Sequence, residues 1–182
     1  MGSENDRGKK SGGYGSALPV EAFFEDAQTL SPAEFESHHG NGFLLLMATK
    51  VSSPKDTYST ELQLLSDVDD ASAHTGSVST LVLPVHSPVH IVTLGRATDS
   101  DVVIPDPSVS RRHALMKRRG DGVFLMLDAG SSNGTTVNGA SVLARGQGPP
   151  TEVKPGDNVR LGRVECTFID ASALRDFVLQ TG

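Results

Sequence analysis

Three polar clusters in the middle of the chain carry the residue types that can do chemistry. They are Gly95-Arg96, Ser110-Arg111-Arg112-His113, and Ser131-Ser132-Asn133-Gly134-Thr135 with Asn138-Gly139 close behind. Together they offer a guanidinium, hydroxyls, a carboxamide and backbone N–H groups, and no paired carboxylates. A phosphate dianion needs charge-assisted donors in a fixed geometry. Arg96 supplies a fork for two phosphate oxygens, Ser110 a short hydroxyl donor at a loop end, and Arg111 a backbone N–H. These are the parts of an anion-binding surface, not of bond-making machinery. A hydrolase built from Ser110, His113 and Asp128 is a remote alternative: there is no Gly-x-Ser-x-Gly elbow, and Arg111-Arg112 stands between nucleophile and base. No residue is assigned a catalytic role.

The stretches between the clusters must position them. Asp101–Ile104, Ala114–Met116 and Val123–Leu127 are β-rich and too short for ordinary helices. Short strands return the chain to the same end of a sheet at every second crossing, so the clusters can sit side by side on one rim.

This order and spacing resembles the forkhead-associated (FHA) domain, a phosphothreonine-peptide binding module, over roughly Leu81 to Asp170. The family pattern is Gly-Arg, Ser-x-x-His, then two Asn-Gly pairs, here Gly95-Arg96, Ser110 to His113, Asn133-Gly134 and Asn138-Gly139. The resemblance implies that Arg96 and Ser110 hold the phosphate and that Arg111 adds a backbone or side-chain contact. It implies that Ser132 brings a hydroxyl close and that Asn133 clamps the ligand backbone, a task suited to a group that both donates and accepts. Gly95, His113, Gly134, Asn138 and Gly139 are expected to support the site: His113 by tying loop ends together, Gly95 and Gly134 by backbone geometry, Asn138-Gly139 as a turn. Arg112 reads as a solvated charge or a contact. One departure stands out: some family members carry a base two residues before the serine, where this chain has Ser108, which weakens the site unless Arg111 compensates. The implied partner is a phosphothreonine-containing protein or peptide, such as a Ser/Thr kinase or its substrate. The alternative is an interaction domain of the same fold that needs no phosphate.

Composition bounds these readings. The 182 residues are 37% hydrophobic and 5% aromatic, without Trp, enough for one β core. The net charge of −6 is uneven: residues 1–90 hold 5 Lys/Arg against 12 Asp/Glu, residues 91–170 hold 10 against 9. That distribution argues against a nucleic-acid partner and suits one compact anion near Arg96, Arg111 and Arg112. The lone Cys166 cannot form an intrachain disulfide and reads as a small buried hydrophobe in a reducing, cytoplasmic setting. No apolar run is long enough to span a membrane. His38-His39, His74, His86 and His90 lack metal-ligand spacing with a cysteine or a carboxylate pair, and no nucleotide glycine pattern occurs, so neither metal nor cofactor is expected.

The expected fold is all-β: an antiparallel β-sandwich of two sheets, with about eleven strands implied by the resemblance. A partly helical N-terminal extension and a short C-terminal helix flank it. Residues 1–18 read as a disordered tail. Residues 19–79 read as an acidic, partly helical extension and linker, 80–170 as the sandwich, and 171–182 as the helix. In the extension, Val20, Phe23, Phe24 and Ala27 mark one helix face, with Glu21, Glu25 and Asp26 on the other. Ser31-Pro32-Ala33-Glu34 is a capping box opening a second helix that stops at Gly40. Phe43–Met47 is a strand or the end of a helical hairpin, which periodicity does not decide. Pro84 places its strand at an edge, and Ser172 caps the last helix. Thr29 is a candidate self-ligand on phosphorylation, because a tethered segment is present at high effective concentration.

Overall fold

The computed structural model describes residues 17–52, 60–64, 78–86, 91–119 and 123–181. Residues 1–16 of the expected tail, and residues 53–59 and 65–77 of the expected extension and linker, lie outside the described residues. Two sheets face one another. The larger has the order β1 (Leu18–Pro19), β4 (Val78–Pro84), β2 (Phe43–Ser52), β13 (Val164–Ile169), β12 (Asn158–Leu161), β9 (Thr135–Val137) and β10 (Ala140–Ser141), with β3 (Thr60–Leu64) also paired to β2. The smaller runs β11 (Thr151–Val153), β8 (Phe124–Asp128), β7 (Ala114–Arg118), β5 (Ile91–Gly95) and β6 (Val102–Val103). All pairings between strands are antiparallel except β5 with β6. Thirteen strands among the described residues exceed the expected eleven because the segment before residue 80 also contributes.

Leu44, Leu46, Leu81, Leu83, Leu94, Met116, Met126, Leu161 and Phe168 fill the space between the sheets. A second apolar cluster covers the other face of the large sheet. A 3-10 turn (Val20–Phe23) leads into α1 (Phe24–Thr29), followed by α2 (Pro32–His39) and, at the C-terminus, α3 (Ala171–Thr181). Their Phe23, Ala27, Phe35, Leu174 and Val178 pack on Phe43, Val82 and Ile169. The molecule is therefore three layers: small sheet, large sheet, helices.

The central place of β2 corrects the expected extension. Residues 43–52 were expected to lie outside the sandwich, yet β2 is paired on both sides, Phe43–Leu45 with β13 and Phe43–Thr49 with β4. Its apolar run has a physical cause: Leu44 and Leu46 face the inter-sheet core while Phe43 and Leu45 face the helices. A strand buried on both faces shows no alternation. Pro84 does not mark an edge, because β1 covers β4 at Leu81 and Val82. It lies at the strand's end, beyond the residues β1 pairs, where a missing N–H costs no ladder bond.

Local capping sets the helices. Ser31 and Glu34 form the capping box of α2, with Ser31 N–H donating to Glu34 Oε2 at 2.9 Å. The Ser31 side chain and backbone bonds hold the Glu34 carboxyl below its ordinary range. α3 starts at Ala171, and Asp170, not Ser172, is its cap, with Oδ1 accepting from Ala173 N–H at 2.8 Å. Thr29 closes α1, its hydroxyl donating to the Glu25 carbonyl at 2.8 Å. Presenting Thr29 in an extended ligand would require unwinding α1, whose Ala27 is fully buried. No helix among the described residues is long and apolar enough to cross a membrane.

Candidate functional site

At one end of the sandwich four loops meet. The loop after β5, the long connection from β6 to β7 and the crossing from β8 to β9 carry the three polar clusters. The fourth is the Gly162-Arg163 hairpin between β12 and β13. The β8–β9 segment passes from the small sheet to the large one, so the rim is stitched across both layers.

Close backbone approach begins the stitching. A Cβ on Gly95 would come within 2.2 Å of the Arg111 carbonyl oxygen, so only glycine lets β5 lie against the second cluster. Two backbone bonds lock that approach, Arg96 N–H to the Ser110 carbonyl at 3.0 Å and Ala97 N–H to the Arg111 carbonyl at 3.1 Å. His113 is fully buried and joins the second cluster to the third. Ser110 N–H donates to its Nδ1 at 2.9 Å, so the ring proton sits on Nε2, which donates to the Gly134 carbonyl at 3.0 Å. Both ring nitrogens are thus consumed by the backbone, leaving none for a ligand. Gly134 holds φ +77°, a left-handed conformation that glycine adopts without strain.

Asp128 organises the third cluster, a role that sequence reasoning missed. Its Oδ1 accepts from Gly130 and Ser131 N–H, both at 2.7 Å, and its Oδ2 from the hydroxyls of Ser131 at 2.6 Å and Thr135 at 2.7 Å. Burial pushes this carboxyl up, but the hydroxyl and backbone donors outweigh it and hold it below its ordinary value. The signal was the Asp-x-Gly-Ser sequence after a strand, a side-chain-to-backbone turn pattern. Asp106 does the same for the second cluster, accepting from Ser108 N–H at 2.7 Å and from its hydroxyl.

Ser108 fills the position where a base was contemplated. It is almost buried, and its Oγ accepts from Arg163 N–H at 3.0 Å. A Cβ on Gly162 would meet the Ser108 carbonyl oxygen at 2.5 Å. Ser108 is a strut between the second cluster and the β12–β13 hairpin.

The five residues expected to bind a ligand line one open groove of about 710 Å³. They are Arg96, Ser110, Arg111, Ser132 and Asn133, with Ala97 and Pro107 as its apolar part. Arg96 Nε donates to the Val109 carbonyl at 3.2 Å, which fixes the guanidinium by its inner edge. The Ser110 hydroxyl oxygen accepts from Ser132 N–H at 3.0 Å, so its own proton is available for an acceptor in the groove. One Asn133 amide hydrogen is engaged by the Ser108 carbonyl at 2.8 Å, leaving Oδ1 and the second N–H for a ligand. The Arg96 and Arg111 guanidiniums make no ion pair among the described residues, whereas Arg112 pairs with Asp99 at 3.2 Å in solvent. Asn138 and Gly139 stand apart from the groove. They form the β9–β10 turn with both φ positive, and Asn138 binds Asp157 and Asn158. Cys166 is buried in β13, with burial and then Glu165 pushing its thiol up to about 12, so it is inert.

The profile of the FHA domain matches residues 92–162. The chain carries an FHA domain. The match takes in β5 through the β12–β13 turn, and so all three clusters. Among curated relatives, the oxoglutarate dehydrogenase inhibitor of Corynebacterium diphtheriae is 40% identical over 78 residues, 43% of this chain and 50% of that protein. The glycogen accumulation regulator GarA of Mycolicibacterium smegmatis is 39% identical over 79 residues, 41% of this chain and 43% of that protein. The chain thus matches about half the length of these relatives. A solved FHA structure from work on phosphothreonine-dependent FHA interactions is 27% identical, spans 70% of this chain and 95% of that one, and has a TM-score of 0.41.

Proposed function

We propose that this protein is a non-enzymatic reader of phosphothreonine in partner proteins, acting in a cytoplasmic Ser/Thr kinase pathway. The observation that carries the reading is the convergence of Arg96, Ser110, Arg111, Ser132 and Asn133 on one groove. There, two guanidiniums have no acidic partner among the described residues and a hydroxyl proton has no acceptor. Two cations and three neutral donors suit the charge and oxygen count of one phosphate dianion. Arg96 holds two phosphate oxygens, Ser110 a third contact, and the Arg111 N–H or side chain adds to them. Ser132 approaches from the facing loop. Asn133 uses the groups left over from its bond to Ser108 to hold the ligand's backbone.

Because Arg96, Ser110 and Asn133 are already held by hydrogen bonds, these three need little ordering on binding. The two curated relatives named above bear the names of an inhibitor and a regulator, which supports the same reading. A degenerate phosphopeptide array, run beside the same peptides after phosphatase treatment, tests it. Binding confined to the phosphorylated set is expected. Equal binding to both sets would replace the proposal with a phosphate-independent interaction domain.

A further inference from the structure

The opposite side of the large sheet holds a different set of histidines. Asp26 projects from α1 toward the last turn of α2, where it meets His38 and His39. Asp26 Oδ2 lies 2.9 Å from His39 Nε2 and 3.3 Å from His38 Nδ1. All three potential ligand atoms lie within 4.8 Å of one another. The set is graded in exposure: the His39 side chain is 18% exposed, Asp26 33% and His38 66%. The His39 ring is held between Phe23 and Phe35, with centroids 5.1 and 4.6 Å away, and both phenylalanines are fully buried.

We propose that Asp26, His38 and His39 form a binding site for one divalent transition-metal ion of the zinc class. The donor chemistry selects the ion. Two imidazole nitrogens and one carboxylate oxygen suit zinc and its neighbours, whereas magnesium and calcium take oxygen-only sets. The geometry fits as well. Metal–ligand bonds of about 2.0–2.1 Å place tetrahedral ligand atoms about 3.3–3.4 Å apart. The Asp26–His38 edge is already 3.3 Å, and the Asp26–His39 edge opens from 2.9 Å by a few tenths of an ångström.

Consecutive residues on a helix point about 100° apart, and two of equal reach diverge. Here they converge because His38 uses Nδ1, near the backbone, and His39 uses Nε2, at the far end of its ring. The remaining His38–His39 edge closes by rotation of the exposed His38. A hydrogen bond pairing the two helices needs only one of these imidazoles, and the structure supplies both. The open side at His38 leaves a fourth position for water. With ligands on both sides of the α1–α2 turn and His39 seated in the helical core, the ion acts as a clamp on the helical layer. The carboxylate partner lies twelve residues before His38, too far for a spacing motif to reveal.

The test uses the full chain after treatment with a chelator. Calorimetric titration with Zn2+ should show one ion per chain with micromolar affinity or tighter. Co2+ in its place should give the visible absorption of a tetrahedral nitrogen–oxygen site. His38→Ala and Asp26→Asn should each weaken binding by at least about tenfold and remove the Zn2+-dependent rise in melting temperature. Both variants keep the Phe23–His39–Phe35 packing, so circular dichroism should match the parent. Failure of the parent chain to bind at micromolar Zn2+ would overturn the proposal. So would binding left unchanged by both substitutions, which would locate the ion elsewhere.

Discussion

The groove rim and the helical layer use histidine in opposite ways. At the rim, His113 is fully buried and both ring nitrogens are spent on backbone groups, one accepting from Ser110 and one donating to Gly134. In the helical layer, His38 and His39 converge on one carboxylate oxygen and remain open to solvent on one side. The first histidine ties the groove's loops together and has no ring nitrogen left over. The second pair turns both nitrogens toward a single carboxylate oxygen. The regions also differ in what holds them: the rim by short polar bonds among loops, the helical layer by apolar burial around Phe23, Phe35, Phe43 and Leu174. Stability and binding should therefore separate cleanly between them.

The largest expected effect tests that separation from the stability side. Phe35→Ala empties a fully buried site in the helical layer and should cost about 3–5 kcal/mol, read from the urea midpoint. Phosphopeptide affinity of the folded fraction should not change. A parallel fall in affinity would mean that the helical layer shapes the groove, and the contrast would fail.

The converse variant is Arg96→Ala. Arg96 is exposed and its loss removes one bond, Nε to the Val109 carbonyl, so the fold should survive with a similar urea midpoint. Binding should fall by about a hundredfold or more, since a charge-assisted hydrogen bond is worth roughly 1.5–3 kcal/mol and two are lost together. Arg96→Lys should not restore it, because a point charge cannot reproduce the fork. Isothermal titration of one phosphopeptide against the three proteins decides the matter; parent-like binding by the alanine variant would move the phosphate site elsewhere.

These two regions were also unequally legible from the residues alone. The rim was readable because its chemistry is local. Arg96, Ser110 and Asn133 sit in short motifs, and the strands between them alternate along one buried face. The helical layer was readable only in fragments. The capping box of Ser31 and Glu34 was plain, being four residues long. The place of β2 was not, because burial on both faces removes the alternation that identifies a strand. Asp26 read as part of a solvated acidic face, and only the fold of α1 against α2 brings it to His38 and His39. Ser108 looked like a missing cation; its bonds to Asp106 are local, but the one it accepts from Arg163 depends on the hairpin at Gly162, more than fifty residues away.

Acid should loosen the rim through Asp128. Its carboxyl is held below the ordinary value of 3.8 in the folded protein. A depressed folded value means stabilisation that is complete above the unfolded value and lost as pH falls through the lower, folded one. Amide resonances of Gly130 and Ser131, which donate to Asp128, should hold steady from neutral pH to near 4 and shift below it. Asp128→Asn should abolish that acid shift. A titration of these amides near neutral pH would show that another group controls the loop.

The smallest effect is the most specific. Phosphothreonine and phosphoserine carry the same charge and the same oxygens, so Arg96 and Ser110 cannot distinguish them. Only the γ-methyl differs, and reading it requires an apolar wall. In the groove that wall is Ala97 and Pro107. Burying one methyl is worth about 0.8 kcal/mol, close to fourfold in affinity. The niche left empty by phosphoserine also forfeits packing contacts, and the unbranched side chain has more rotamer freedom to lose on binding. A preference of about fourfold or somewhat more is therefore expected from a matched peptide pair titrated in the same salt. Because the discrimination lies in packing and the affinity in charge, raising the ionic strength should weaken both peptides while leaving their ratio unchanged. A ratio of one at every salt concentration would mean that the groove reads the phosphate and ignores the residue bearing it.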